Sequence, residues 1–105
     1  MLAKFEHTQG ISKVTFNKSI SVFCPLGNDY YTADITVDFV PDKFMMDYID
    51  EDNFIKELSG AELIIEDLVE KIHTHLNKEY EPKYVKVSVF AYNAAHFPVT
   101  VYKEN

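Results

Sequence analysis

One cysteine, three glycines, four prolines and no tryptophan occur among the 105 residues. A single cysteine excludes an internal disulfide, and a reducing compartment would keep its thiol free for chemistry. No apolar run approaches the roughly 20 residues that a bilayer-spanning helix requires, and the first residues lack the charged and apolar regions of a signal peptide. The expected location is therefore the cytoplasm, away from the membrane. Low-complexity stretches and long charge blocks are absent too, so the whole chain is expected to fold. Basic side chains are few: 10 Lys and Arg stand against 17 Asp and Glu, a net charge of −7. Binding to phosphate depends on basic side chains, so this balance disfavours a nucleic-acid substrate or an anionic membrane surface.

What is present suits a globular protein: 47% apolar and 26% charged residues. A single domain over residues 1–105 is expected, large enough for a modest core and small enough to gain from oligomerisation. Seven Tyr and eight Phe favour sizeable interfaces or flat pockets for ring-shaped ligands.

Val14, Phe16, Ile20 and Val22 share one parity, and Ile35, Val37 and Phe39 alternate with Asp34, Thr36 and Asp38. Both patterns predict strands with one wet face, over residues 13–23 and 33–40. Beyond Pro41, Asp50 is placed to cap a short helix carrying Phe54, Ile55 and Leu58. Ser59-Gly60-Ala61-Glu62 has capping-box spacing and predicts a longer helix whose apolar face is Ala61, Ile64, Ile65, Leu68, Val69, Ile72 and Leu76. After Pro82, alternating Val85, Val87 and Val89 predict a third strand. The turn Asn93-Ala94-Ala95-His96 leads to a fourth, where Phe97, Val99 and Val101 share a face and Pro98 fits a strand start or a sheet edge. Two strands, two helices and two strands imply an α+β domain: an antiparallel four-stranded sheet with helices on one face.

The best nucleophile candidate is Cys24, which ends an apolar strand and is followed by the turn Pro25-Leu26-Gly27-Asn28-Asp29. Free cysteine is commonly just a small buried hydrophobe, so its neighbours decide its role. Asp29 and Asp34, five and ten residues beyond Cys24, either return near the thiol through the turn or are turn and surface residues. His73 and His75 are poor co-ligands for a metal, because two residues along a helix separate them by about 200°. They read as surface residues near the negative end of the helix dipole. His7 falls in an N-terminal segment expected to be mobile, and His96 in the last hairpin turn is either a pocket or a loop residue. The acidic run from Asp42 to Glu57 reads as a solvated surface, and Glu62 as the reciprocal partner of a capping box. No metal is expected.

Four segments together carry a resemblance. They are Phe23-Cys24-Pro25, then Phe39-Val40-Pro41-Asp42-Lys43 with Pro41 seventeen residues past Cys24, then Glu66-Asp67-Leu68-Val69-Glu70, and finally Pro82-Lys83-Tyr84-Val85-Lys86-Val87. Over roughly residues 20 to 103 the chain resembles the nitrile reductases of queuosine biosynthesis, and still more the short QueF-like amidinotransferases of archaeosine synthesis. That resemblance implies the tunnelling fold, in which subunits of this element order assemble into closed barrels with ligand sites between them. It implies a homo-oligomer acting on a 7-deazapurine, 7-cyano-7-deazaguanine, whose nitrile carbon a cysteine attacks to give a thioimide.

By the same resemblance Cys24 matches the nucleophile and Glu62 the glutamate that holds the purine-like edge. His96 is a candidate pocket residue beside them. The amidinotransferases then deliver ammonia, whereas the reductases deliver hydride from NADPH. The chain departs from the family in two places. The family acid seven residues after the cysteine is here Tyr31, with Asp29 as an alternative proton donor, and the histidine before the glutamate is Ala61. The reductases' serine- and lysine-containing nucleotide segment is not evident between Met46 and Leu58, so no cofactor is expected and amidinotransfer is preferred. A second branch of the fold, the zinc-dependent pterin synthases, is disfavoured, because Gly27-Asn28-Asp29 stands where a His-x-His would be needed.

Overall fold

The computed structural model describes residues 5–105. Its elements are β1 (Phe5–Glu6), β2 (Val14–Cys24), β3 (Asp29–Val40), β4 (Phe44–Met45), α1 (Tyr48–Glu57), α2 (Ile65–Tyr80), β5 (Tyr84–Ala91) and β6 (Val99–Glu104). The four long strands form one antiparallel sheet in the order β2-β3-β5-β6. Period-two alternation sorts their side chains: Ile20, Val22, Tyr31, Ala33, Ile35, Val37 and Phe39 are buried, as are Val85, Val87 and Val89. The register sets these residues opposite one another, Ile20 against Ala33 and Ile35 against Val89, so one face is continuously apolar. The other face is polar, with Thr15 donating to Asp38 at 2.8 Å and Asn17 to Asp34 at 2.9 Å.

Leu68, Val69, Ile72, Leu76 and Tyr80 of α2 and Ile55 of α1 cover the apolar face, each at most 2% exposed. Burying an aliphatic side chain of this size stabilises by about 1.5–3 kcal/mol, so this layer is the main driving force for folding. Glu81 ends α2 in the left-handed region at φ 49°, and Pro82 prevents any continuation.

Several sequence expectations are corrected. Asp47, not Asp50, caps α1: its backbone is extended, and its side chain accepts the Ile49 and Asp50 N–H groups, both at 3.0 Å. The capping box does not form. Residues 61–63 run extended beside β2, where Phe23 N–H donates to the Ala61 carbonyl at 2.9 Å and Leu63 N–H to the Phe23 carbonyl at 3.0 Å. Those long-range bonds hold Glu62 out of any helix, so α2 starts at Ile65 with no side-chain cap. Gly60 makes the bend into this stretch at φ 81°. The second strand begins earlier than expected, at Asp29, and the fourth begins at Val99, beyond Phe97. Residues 5–11 are tied down: β1 pairs with β4, the His7 N–H donates to the Lys43 carbonyl at 2.8 Å, and the His7 ring accepts from Ile11 N–H.

The acidic run and the histidine pair also differ from a solvated surface. Glu51 is 3% exposed, and His73 is 7% exposed. The Glu51 carboxylate meets His75 Nε2 at 2.9 Å and accepts the Tyr80 hydroxyl at 2.8 Å. The His75 ring stacks on Phe54 with centroids 3.7 Å apart. This cluster bolts α1 to α2, and burial together with the adjacent carboxylate pushes the Tyr80 phenol well above the usual tyrosine range. A helix dipole at the surface does not explain His75; the pairing with Glu51 does.

Removing the shared acceptor strands the buried Tyr80 hydroxyl and the half-buried His75 ring. Glu51→Ala should therefore lower stability by about 1–3 kcal/mol in urea unfolding, and Glu51→Gln, which keeps an acceptor, by less. His73 is held below the ordinary histidine value of 6.5, by burial first and then by Lys103, against the opposing pull of Glu70. Its neutral form is thus the folded form. As pH falls below about 6.5 the unfolded chain takes up a proton that the folded chain resists, and stability drops. Replacing the titrating group in His73→Gln should flatten this acid limb in a pH series of thermal melts.

Candidate active site

Cys24 and Asp29 are the last pair of the β2–β3 ladder, with residues 25–28 forming the turn between them. Asn28 occupies the left-handed region at φ 52°, which asparagine tolerates better than most residues. Directly paired residues share a face, so Cys24 and Asp29 point to the same side as the next inward pair, Val22 and Tyr31. That side is the helix-covered face, just past the start of α2. The turn folds the Gly27 N–H back onto the Cys24 Sγ at 3.4 Å, giving the sulfur a donor that a thiolate accepts well.

A cavity of about 480 Å³ opens there. Cys24, Asp29, Tyr31 and His96 all line it, so four of the five side chains singled out from the sequence converge on one space. Glu62 does not line it and is exposed. The glutamate on the cavity is Glu66, in the first turn of α2. Glu66 lies in the Glu66-Asp67-Leu68-Val69-Glu70 segment of the resemblance, but a helix counted from Ser59 buries this signal. Once Ile65 begins the helix, Glu66 moves to the N-terminal turn beside the cavity.

The two candidate proton donors differ in their surroundings. Tyr31 is 2% exposed, and its hydroxyl donates to the Leu63 carbonyl at 2.7 Å. Burial, followed by the charges of Cys24 and Glu66, pushes its phenol up to about 12, which makes it a poor acid. Asp29 is exposed, and its Oδ1 accepts the Tyr30 N–H at 2.7 Å. The far wall is the β5–β6 hairpin. Asn93 anchors it to β3 by accepting the Thr32 N–H at 2.7 Å, and His96 Nδ1 lies 2.7 Å from the Phe97 carbonyl. Sequence reading missed Asn93, whose role depends on a strand distant in the chain. Leu26 and Phe97, 83% and 76% exposed, form an apolar rim.

A second cavity, about 370 Å³, lies between the start of β2 and α1, where Lys18 pairs with Asp52 at 2.7 Å. It contains no cysteine or histidine. Among the described residues, no group of three or more His, Cys, Asp and Glu side chains is placed to hold a metal ion. No described helix is long and apolar enough to cross a membrane.

No family model matches the chain, and no curated protein does. Among solved structures, the apo form of an archaeosine synthase QueF-Like superposes with a TM-score of 0.85 at 21% identity, over 92% of this chain and 96% of that one. The two share the tunnelling fold, the two-strand, two-helix, two-strand order expected from the pattern of residues.

Tyr31→Phe leaves the Leu63 carbonyl without its donor. It should cost about 1 kcal/mol in chemical denaturation while leaving the cavity's shape intact.

Proposed function

We propose that this chain is a QueF-like enzyme that acts on the nitrile of 7-cyano-7-deazaguanine through a thioimide on Cys24. One observation carries the reading: Cys24, the chain's only thiol, lies on a cavity whose volume falls within the range of small-molecule sites, together with a carboxylate and an imidazole. The shared fold supports it. Cys24 Sγ adds to the nitrile carbon, the π pair moves to nitrogen, and a proton reaches that nitrogen. Ammonia then adds to the thioimide carbon and the sulfur leaves, which gives an amidine and restores the thiol.

Glu66 takes the recognition role that the resemblance gave to Glu62. Its carboxylate accepts the adjacent N–H groups of a guanine-like edge, a charge-assisted pairing. Asp29, beside the sulfur at the end of the ladder, remains a polar contact for the substrate. No redox cofactor enters this reading; reduction by NADPH is the rival within the same family. The substrate is a free base or nucleoside rather than a large nucleic acid, in keeping with the net charge of −7. The working unit is a homo-oligomer, because β6 and the part of β2 before Ser21 each leave one edge of the sheet unpaired among the described residues.

A second reading, a tunnelling-fold protein that binds the same heterocycle without turning it over, is favoured by the engaged Tyr31 hydroxyl where the family carries an acid. Intact-protein mass spectrometry after incubation with 7-cyano-7-deazaguanine separates the two. The wild type should gain the mass of one whole ligand, since addition expels no group, and Cys24→Ala should gain none. Demonstrated binding with no mass gain in the wild type would leave only the binding module. Amidine release that requires ammonia, with no NADPH consumed, distinguishes transfer from reduction.

A further inference from the structure

We propose that His96 carries protons for Cys24, a role that deepens the thioimide reading above and rests on it. Addition of a thiol to a nitrile moves one hydrogen from sulfur to nitrogen, so a group on the cavity must take it and return it. The titratable side chains lining the cavity with His96 are Cys24 itself, Asp29, Tyr30, Tyr31 and Glu66, and no lysine is among them. Tyr31 is engaged with the Leu63 carbonyl and raised to about 12. Asp29 accepts a backbone N–H through Oδ1, and Glu66 is assigned to the heterocycle. Among these side chains the imidazole is the one whose two nitrogens can accept and donate in turn.

The geometry sets which nitrogen does so. His96 Nδ1 lies 2.7 Å from the Phe97 carbonyl, which can only accept, so Nδ1 carries the hydrogen and Nε2 is left free. The hairpin that carries His96 is held to β3 by the paired contacts of Asn93 with Thr32, at 2.7 and 3.2 Å. The ring is therefore fixed at both levels, its tautomer by Phe97 and its loop by Asn93.

The first half needs no reagent beyond the nitrile and the thiol, and the second half needs only ammonia. Nε2 takes the thiol hydrogen as the S–C bond forms; the π pair moves to the nitrile nitrogen, and the imidazolium delivers the hydrogen there. In the second half ammonia bonds to the same carbon. Nε2 accepts a hydrogen from that nitrogen and returns it to the sulfur as the C–S bond breaks. A neutral ring is restored after each half.

Two measurements on wild type and His96→Ala test the proposal. Alkylation of Cys24 by iodoacetamide at neutral pH reads the first proton transfer with no substrate present, and the variant should react about tenfold more slowly. With 7-cyano-7-deazaguanine, adduct formation in the variant should fall by about a hundredfold or more at unchanged ligand Kd, and added free imidazole should restore part of the rate. Equal alkylation rates in the two proteins overturn the proposal. So does a loss of adduct formation that imidazole does not relieve, which marks a structural role for the ring. Slower alkylation of the variant with no adduct in the wild type keeps the His96–Cys24 pairing and removes the nitrile as substrate, so the two failures are distinct.

Discussion

The unbroken pairing of β2 with β3, from Val14 against Phe39 to Cys24 against Asp29, is the constraint on which the remaining structure depends. A slip of β2 by one residue against β3 would turn Ile20, Val22 and Cys24 outward together, since successive side chains alternate faces. The same register brings Cys24 opposite Asp29 and aims both at the helix-covered side. Core formation and site formation are thus one event. The hydrophobic pattern that drives the sheet onto α2 also delivers the thiol to the cavity.

A second long-range contact fixes the other wall. The main chain of Ala61 to Leu63 bonds to Phe23, one residue before the cysteine, and so places the start of α2 beside the turn. The Leu63 carbonyl receives the Tyr31 hydroxyl in the same place, which joins β3 to the stretch ahead of the helix. Backbone groups unsatisfied by a helix are taken up by the sheet, as buried peptide groups require. The same bond commits the Tyr31 phenol to structure.

At the other end of the sheet, Glu51, His75 and Tyr80 make a polar cluster between the two helices. Each donor finds an acceptor there, and no buried side-chain polar atom among the described residues lacks a partner. A buried carboxylate is costly alone; with an imidazole and a phenol on it, it defines how α1 sits against α2. The end with the Cys24 cavity and this end are thus built from similar residue types with different surroundings.

Local periodicity alone determined the order of the main elements, the inward faces of the four long strands, the apolar stripe of α2 from Leu68 to Leu76, and the interest of Cys24. These are readable because alternation and helical spacing act between residues a few positions apart. Only the tertiary structure decided where α2 begins, that Glu66 rather than Glu62 meets the cavity, that Glu51 and His73 are buried, and that Asn93 holds the hairpin. Ser59 to Glu62 has the spacing of a cap, but hydrogen bonds to Phe23 are the stronger claim on that backbone, and they come from a distant strand. Burial of a charged residue follows from the same cause: the partner that makes it tolerable, His75 for Glu51, lies on another helix, beyond the reach of any local pattern.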